Sequence, residues 1–241
     1  MLNRHDLLKA IDHTVLRPES TLADALQACD EAIENHFASV VVLPCWVPHA
    51  ARRLTGSEVK VGTVVGFPLG ASSTRVKAFE TQVAVANGAQ EVQVVINISA
   101  LKSGEMTRVR RDLEEVLYAS HIAGLTQEAQ ETLTQFVLET HYLTEHEIQA
   151  VSELVREVGG EFLVTSTGYA AGGASTDDVR LIRRTVGANM GVKAVGGIRT
   201  AEFALELLNA GATRIGTAWG VQIMQEFLAM MEPQPAGARR S

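Results

Sequence analysis

The 241-residue sequence is poor in the residues that disulfide-rich, metal-binding and nucleic-acid-binding proteins depend on. Its two cysteines, Cys29 and Cys45, are too few for a disulfide framework or a cysteine metal cluster. The net charge of −7 argues against a nucleic-acid surface, which needs clustered lysine and arginine. No apolar run approaches the roughly 18 residues of a membrane span, and the N-terminus lacks the apolar region of a signal peptide. We therefore expect a cytoplasmic protein with no nucleic-acid or membrane partner.

Several motifs that indicate particular chemistries are also absent. The sequence contains no P-loop, no Gly-x-Ser-x-Gly elbow and no His-Glu-x-x-His, and no Gly-x-Gly-x-x-Gly follows the first predicted strand. His13, His141 and His146 lack the spacing of metal ligands and are expected to be structural. We therefore predict no metal and no cofactor. Cys45 follows Pro44 at a strand end and is the thiol that could face a site.

Apolar, β-branched runs alternate with amphipathic stretches along almost the whole chain, as repeated βα units do. The predicted strands are 8–14, 39–43, 60–65, 91–98, 135–140, the start of 161–169, 192–195 and 213–217. Eight such units favour a single (β/α)₈ TIM barrel over residues 1–232, with a short N-terminal helical segment. A doubly wound open sheet remains the alternative, because counting strands does not show closure. Residues 121–134 are interpreted as a surface extension and 233–241 as a flexible tail.

Polar residues cluster at the carboxyl ends of the predicted strands, where barrels of this class place their sites. These residues are Asp12, His13, Thr14, Gln93, Asn97, Glu139, His141, Thr165, Ser166, Thr167, Lys193, Gly216 and Thr217. Lys193 is the most informative, because a lysine within a buried strand is costly unless it is paired or functional. Desolvation would lower its pKa and make it a nucleophile, whereas pairing with a carboxylate such as Asp12 would make it structural.

Two glycine-rich stretches follow the last two predicted strands. Gly196 and Gly197 precede one helix, and Gly216 and Thr217 precede the next. Backbone N–H groups at adjacent helix starts after strands seven and eight form the usual phosphate site of such barrels. The pattern predicts phosphate binding there, although glycines also serve as plain turn residues.

The sequence resembles the deoxyribose-phosphate aldolase family over about residues 11–221. The matching stretches are 12–18, 64–70, 95–104, Thr165-Ser166-Thr167-Gly168, 191–200 and 210–217. The resemblance implies a (β/α)₈ barrel and reversible cleavage of 2-deoxy-D-ribose 5-phosphate to acetaldehyde and glyceraldehyde 3-phosphate. It also implies a lysine Schiff base without metal, a small phosphorylated sugar or aldehyde ligand, and a homodimer as the usual assembly, with a monomer left open.

The chain departs from that family at the positions that carry its chemistry. By the resemblance, the Schiff-base lysine precedes Thr-Ser-Thr-Gly, and Val164 stands there. Gln93 occupies the position of the proton-relay aspartate, whereas Lys193 matches the family's second lysine. Ala218 and Trp219 replace the hydroxyl-bearing residues of the phosphate loop. Asp12, Thr167, Gly168, Gly196, Gly197, Gly216 and Thr217 match the family's substrate- and phosphate-binding positions.

These departures leave three hypotheses. The first is a silent or repurposed homologue that binds a small ligand or a protein partner, because valine forms no imine and glutamine returns no proton at neutral pH. The second is an active carbon–carbon lyase whose Schiff base has moved to Lys193. The third is a lyase or isomerase without a Schiff base, with Glu139 and Lys193 as acid and base.

Overall fold

The computed structural model describes residues 3–125 and 132–231, which form eight strands alternating with helices. The strands are β1 Ile11–Val15, β2 Ser39–Val42, β3 Lys60–Val65, β4 Glu91–Val95, β5 Leu133–Val137, β6 Phe162–Val164, β7 Gly191–Val195 and β8 Arg214–Thr217. The helices are α1 Arg4–Ala10, α2 Leu22–Asn35, α3 Val47–Arg53, α4 Thr74–Ala86, α5 Ile98–Lys102, α6 Met106–Leu125, α7 Glu145–Glu157, α8 Thr176–Val186, α9 Ala201–Asn209 and α10 Gly220–Met231.

The eight strands form one closed parallel barrel in sequence order. Closure is made by β1, which pairs with β2 on one side and with β8 on the other. The predicted (β/α)₈ barrel with a short N-terminal helix is therefore confirmed, and the open-sheet alternative is wrong. Every strand ends at the same rim, so the strand-end residues identified in the sequence surround one mouth.

Several predicted boundaries differ from the structure. Residues 8–10 belong to α1, so the first strand begins at Ile11. Ile98 begins the short helix α5, and α6 continues to Leu125, so the predicted extension 121–134 begins as helix and ends within β5. Residues 126–131 and the predicted tail 233–241 lie outside the described residues.

Local capping explains where most helices start. Thr144 accepts a hydrogen bond from the N–H of Glu147, whose carboxylate accepts one from the N–H of Thr144, as the predicted capping box requires. Thr21 and Asp24 form the same arrangement at α2. Ser73, a predicted helix cap, is the N-cap residue of α4. Its hydroxyl makes no cap hydrogen bond, so the prediction gives the start of the helix but not the capping interaction.

The core consists of an outer and an inner part, because successive strand residues point to opposite faces. The outer faces pack against the helices through apolar side chains such as Val40, Val92, Leu163 and Ile215. The inner faces fill the barrel lumen. No helix among residues 3–125 and 132–231 is long and apolar enough to cross a membrane.

Candidate functional site

The lumen is filled in levels, each contributed by four alternate strands, as the barrel register dictates. From the amino-terminal end of the strands towards the mouth, the levels are Ser39, Glu91, Phe162 and Arg214; then Asp12, Gly62, Gln135 and Lys193; then Val41, Gln93, Val164 and Gly216; then Thr14, Val64, Val137 and Val195. The two lower levels contain charged groups, and the two upper levels are mainly valine.

The charged groups of the two lower levels form one ionic network, which we call the ionic layer. Asp12 lies 2.6 Å from Lys193 Nζ and 2.5 Å from Arg214 Nη1. Arg214 also reaches across the lumen to Glu91 at 3.3 Å, and Gln135 donates to Glu91 at 2.9 Å. The contact between Lys193 and Asp12 has the distance of an ion pair, although its angles are not those of an aligned hydrogen bond.

Burial and neighbouring charges shift the pKa values in this layer. Burial alone would raise the pKa of Asp12, but Lys193 and Arg214 together hold it below the usual range. Burial and the nearby charge of Asp12 raise the pKa of Glu91. The pKa of Arg214 is raised because Asp12 and Glu91 outweigh its desolvation. The network therefore favours an ionised Asp12 between two cations.

Gly216 provides the space in which the Lys193 side chain lies. A Cβ atom at position 216 would lie 2.9 Å from Lys193 Cε and 2.7 Å from Val195 Cγ2. Lys193 is completely buried, and its amine is directed at Asp12. Of the two sequence interpretations of Lys193, the structure shows the paired one.

Val164 lies directly above the ionic layer and is completely buried. It packs with Val95 and Val137, and with the partly buried Phe67 and Val195. A second cluster, formed by Leu16, Val41 and Val64 with Leu43 and Phe67, covers the opposite side of the lumen. We call these two clusters the valine floor. They separate the ionic layer from the mouth.

Gln93 is the polar residue in the level of Val164. It is 5% exposed, and its Nε2 has no hydrogen-bond partner among the described residues. A buried amide group without a hydrogen-bond partner destabilises the folded protein. The Nε2 group of Gln93 can therefore donate a hydrogen bond to a new partner without breaking an existing one. Gln93 on β4 therefore lies in the same level of the lumen as Val164 on β6.

The remaining polar residues of the mouth mostly have partners within the protein. Thr167 donates to Glu139 from both its N–H, at 3.0 Å, and its hydroxyl, and Glu139 has a left-handed backbone with φ 56°. Glu139 and Lys193 therefore have different partners and are not arranged as an acid–base pair. The hydroxyl of Ser166 is buried and has no hydrogen-bond partner among the described residues. Asn97 caps α5 through Ala100 N.

Some candidates lie away from the mouth. His13 faces the helices and bonds Glu31 at 2.8 Å, and burial lowers its pKa. His141, in the segment before α7, and His146, in the first turn of α7, are both exposed. Cys45 is an exposed thiol, whereas Cys29 is buried. Among the described residues, no group of three or more potential ligands could hold a metal ion.

The loops after β6, β7 and β8 converge on one side of the mouth. A Cβ atom at Gly168 would lie 4.0 Å from Gly196 Cα, and Thr217 Oγ1 donates to Ile198 O at 2.6 Å. Gly168 and Gly197 have φ values of 81° and 76°, and both are exposed. We call the loops that carry these exposed glycines the glycine cradle, because backbone N–H groups in loops of this kind suit an anion.

The glycine cradle differs from the predicted pair of helix starts. Helix α9 begins at Ala201 after its N-cap Thr200, so Gly196 and Gly197 lie in the loop rather than at a helix terminus. Helix α10 does begin at Gly220, directly after the second loop. The guanidinium of Arg199 lies 5.8 Å from the centre of the Trp219 ring, which brings a positive charge to the cradle.

Aromatic side chains connect loops from different parts of the rim. The Phe67 and Tyr169 rings meet edge to face at 5.2 Å, and the Tyr169 hydroxyl donates to Leu16 O at 2.7 Å. Burial is the first of the causes that raise the pKa of Tyr169. These contacts join the loops after β1, β3 and β6 over part of the valine floor.

Arg214 and Glu91 are the site residues that the sequence interpretation missed. Both lie in strands, at positions where the period of two turns the side chain into the lumen. A charged residue within a strand was the signal that singled out Lys193, and the same signal applies to these two. Arg214 matters most, because it contacts both carboxylates.

Comparisons with known proteins give one consistent result. A family model described as DeoC/LacD family aldolase matches residues 7–226. Deoxyribose-phosphate aldolase 2 of Staphylococcus aureus is 50% identical over 217 residues, which cover 90% of this chain and 94% of that protein. Deoxyribose-phosphate aldolase of Mannheimia succiniciproducens is 46% identical over 224 residues, covering 93% and 96%.

A solved structure agrees with the sequence relatives. The tetrameric deoxyribose phosphate aldolase of Aeropyrum pernix superposes with a TM-score of 0.83 at 28% identity. The match covers 95% of this chain and 93% of that one. Sequence and fold therefore give the same relationship across nearly the whole chain.

Proposed function

Because the chain belongs to the DeoC/LacD family of aldolases, we propose that it binds a small phosphorylated ligand at the barrel mouth without cleaving it through a lysine imine. One observation carries the proposal: Val164, at the position that the resemblance gives to the Schiff-base lysine, is fully buried among valines. A valine side chain has neither the amine that forms an imine nor a group that transfers a proton.

Lys193 does not replace the missing nucleophile in this arrangement. Its backbone lies one level below Val164, and its completely buried amine faces Asp12 at 2.6 Å. An amine held as the cation of a buried ion pair has no free electron pair for attack on a carbonyl. A lyase that uses Lys193 would need both the ion pair broken and the valine floor opened.

The retained function is binding of a phosphorylated group at the glycine cradle. Gly168 and Gly197 are exposed in loops at the mouth, and Arg199 contributes a positive charge beside Trp219. Backbone N–H groups in such loops bind phosphate because they are fixed donors that need no reorganisation. Asp12 would not contact the ligand. It would support the site indirectly, because it pairs with Lys193 and Arg214 in the ionic layer below the valine floor.

Reductive trapping tests the proposal. The protein is incubated with 2-deoxy-D-ribose 5-phosphate and sodium borohydride, and its intact mass is measured, with cleavage followed in parallel without borohydride. We expect no mass increase and no cleavage above the uncatalysed rate. An adduct mapped to Lys193, and lost in Lys193→Met, would overturn the proposal in favour of the relocated Schiff base.

A further inference from the structure

We infer that the ligand of this barrel is a phosphate monoester with an apolar tail rather than a polyhydroxylated sugar phosphate. The inference rests on the proposed function, since it specifies what the same mouth binds. It follows from the side chains that lie next to the glycine cradle. These side chains are mostly apolar, whereas a sugar needs hydrogen-bonding groups at each hydroxyl.

The valine floor supplies the first observation. Its two clusters contain six buried apolar residues and the partly buried Leu43, Phe67, Ile98 and Val195, which border the open part of the mouth. Phe67 belongs to both clusters, so the floor is continuous from β1 to β7. A hydroxyl group placed on this surface would lose its water without gaining a partner.

The rim of the mouth supplies a second, independent observation. Large exposed apolar side chains occur in the loops after four strands, with Leu69 72%, Tyr142 53%, Tyr169 46% and Trp219 44% exposed. Tyr169 is further fixed by its contacts with Phe67 and Leu16. Rim and floor together form an apolar surface that reaches the cradle, and apolar surface of this kind indicates a ligand with matching chemistry.

The polar groups of the floor do not contradict this interpretation. Thr14 uses its hydroxyl to donate to Asp12 O at 3.0 Å, and Ser166 is 1% exposed. Gln93 is 5% exposed and lies in the level of Val164, at the bottom of the floor. One amide at that depth can bind one polar atom, which is fewer than the hydroxyl groups of a pentose phosphate require.

The anionic head and the apolar tail therefore have separate positions. The phosphate contacts the N–H groups of Gly168 and Gly197, close to Arg199. The tail lies across Val195, Phe67 and Leu43, the partly exposed apolar residues of the floor. A short branched hydrocarbon tail matches this surface in chemistry.

Calorimetric titration of the full chain with four probes tests the inference. The probes are 3-methylbutyl phosphate, 2-deoxy-D-ribose 5-phosphate, inorganic phosphate and 3-methylbutanol. We expect 3-methylbutyl phosphate to bind at least tenfold more tightly than each of the others, because it alone combines both groups. A sugar phosphate that binds as tightly, or an alkyl phosphate that does not bind, would overturn the inference.

Two near-isosteric variants and one control locate the tail. Leu43→Asn and Val195→Asn should each weaken 3-methylbutyl phosphate at least tenfold and leave inorganic phosphate unchanged, whereas Leu125→Asn, on the exposed end of α6, should change neither. Affinity that is insensitive to both floor variants would place the tail elsewhere and reject the inference. These outcomes are separate from imine trapping, which alone decides whether cleavage is lost.

Discussion

At the scale of the residue, position 164 determines what the mouth can do. A lysine at position 164 would have its Cα in the level of Gln93 and one level above Lys193. The buried cation of Lys193 would then be close enough to lower the pKa of the new lysine. Valine at the same position completes an apolar cluster instead. Position 164 thus contributes packing where the family resemblance implies a nucleophile.

We predict that Val164→Lys combined with Gln93→Asp creates an imine-forming protein. The new amine would be desolvated by Val95 and Val137, which lowers its pKa, and the new carboxylate could move a proton. Borohydride trapping with 2-deoxy-D-ribose 5-phosphate should give an adduct on residue 164. The double variant should cleave about 100-fold faster than Val164→Lys alone, within the usual range for acid–base catalysis.

Val164→Met serves as the matched control, because it enlarges the side chain without an amine and should give no adduct. A folded double variant without an adduct would mean that more of the mouth than these two positions has changed.

Residue-level interpretation of the sequence found much of this site. Lys193, Val164 and Gln93 were located from strand ends and family motifs, and the structure places Val164 and Gln93 in one level with Lys193 beneath. Arg214 was missed because its strand was considered for its glycine end and not for its lumen face. The choice between a paired and a reactive Lys193 needs the distance to Asp12, which no sequence pattern supplies.

At the scale of the element, the loops carry the binding groups and the helix caps fix the loops. Helix α7 begins directly after the segment containing Glu139, and its capping box is reinforced by Lys102, which lies 2.9 Å from Glu147. The hydrogen bond from Lys102, with those from the capping box, lowers the pKa of Glu147 to about 2. The cap thus depends on an ionised carboxylate.

We predict that Glu147→Gln destabilises the protein in a pH-dependent way. The folded-state pKa of Glu147 lies below the ordinary glutamate value of 4.5, so the stabilising contribution is complete above that value and is lost as the pH falls towards 2. The difference in free energy of unfolding between wild type and variant should therefore be constant from pH 7 to 5 and shrink below about 4.5. Urea titrations of both proteins at several pH values measure this difference in the free energy of unfolding.

Glu145→Gln provides a control for helix charge, because Glu145 lies in the same first turn but is not the partner of Thr144. A Glu147→Gln difference that stays constant down to pH 3 would show that its effect is not electrostatic.

Element boundaries show where sequence reasoning failed. The helix predicted at 201–209 has the observed bounds of α9, with Thr200 as its N-cap, although the glycines before it were also expected to lie at its start. The end of α6 was placed six residues early, at Ala119 instead of Leu125, although apolar residues continue beyond it. Capping chemistry was a good guide at Thr144, where the capping box forms, and gave only the position of the helix start at Ser73.

At the scale of the whole molecule, the ionic layer links strands that are distant around the barrel. Arg214 contacts Asp12 on the neighbouring β1 and Glu91 on β4, across the lumen. Lys193 adds β7 to the same network through Asp12. Because the barrel closes between β1 and β8, the layer crosses the closure seam.

We predict that Arg214→Met weakens the entire barrel. Removal of the guanidinium leaves two buried carboxylates with one fewer counter-charge, and breaking a buried pair in this way usually costs about 3–5 kcal/mol. Hydrogen exchange followed by mass spectrometry should show faster exchange in all eight strands rather than in β8 alone. Arg180→Met removes an exposed ion pair and should have little effect.

Protection lost only in β8 and β1 would show that the layer acts locally at the seam. Unchanged stability would mean that the methionine packs as well as the ionic network it replaces, a known outcome for some buried charges.

The vertical order of the lumen has a consequence for evolvability. The residues whose charges tie the strands together are anchored below the level of Val164, and the proposed ligand-binding groups lie at that level or above it. Substitutions in the upper levels can therefore alter chemistry while the lower levels maintain the fold. In such a barrel, an activity can be lost, changed or regained through very few replacements, and the same backbone remains available for each of them.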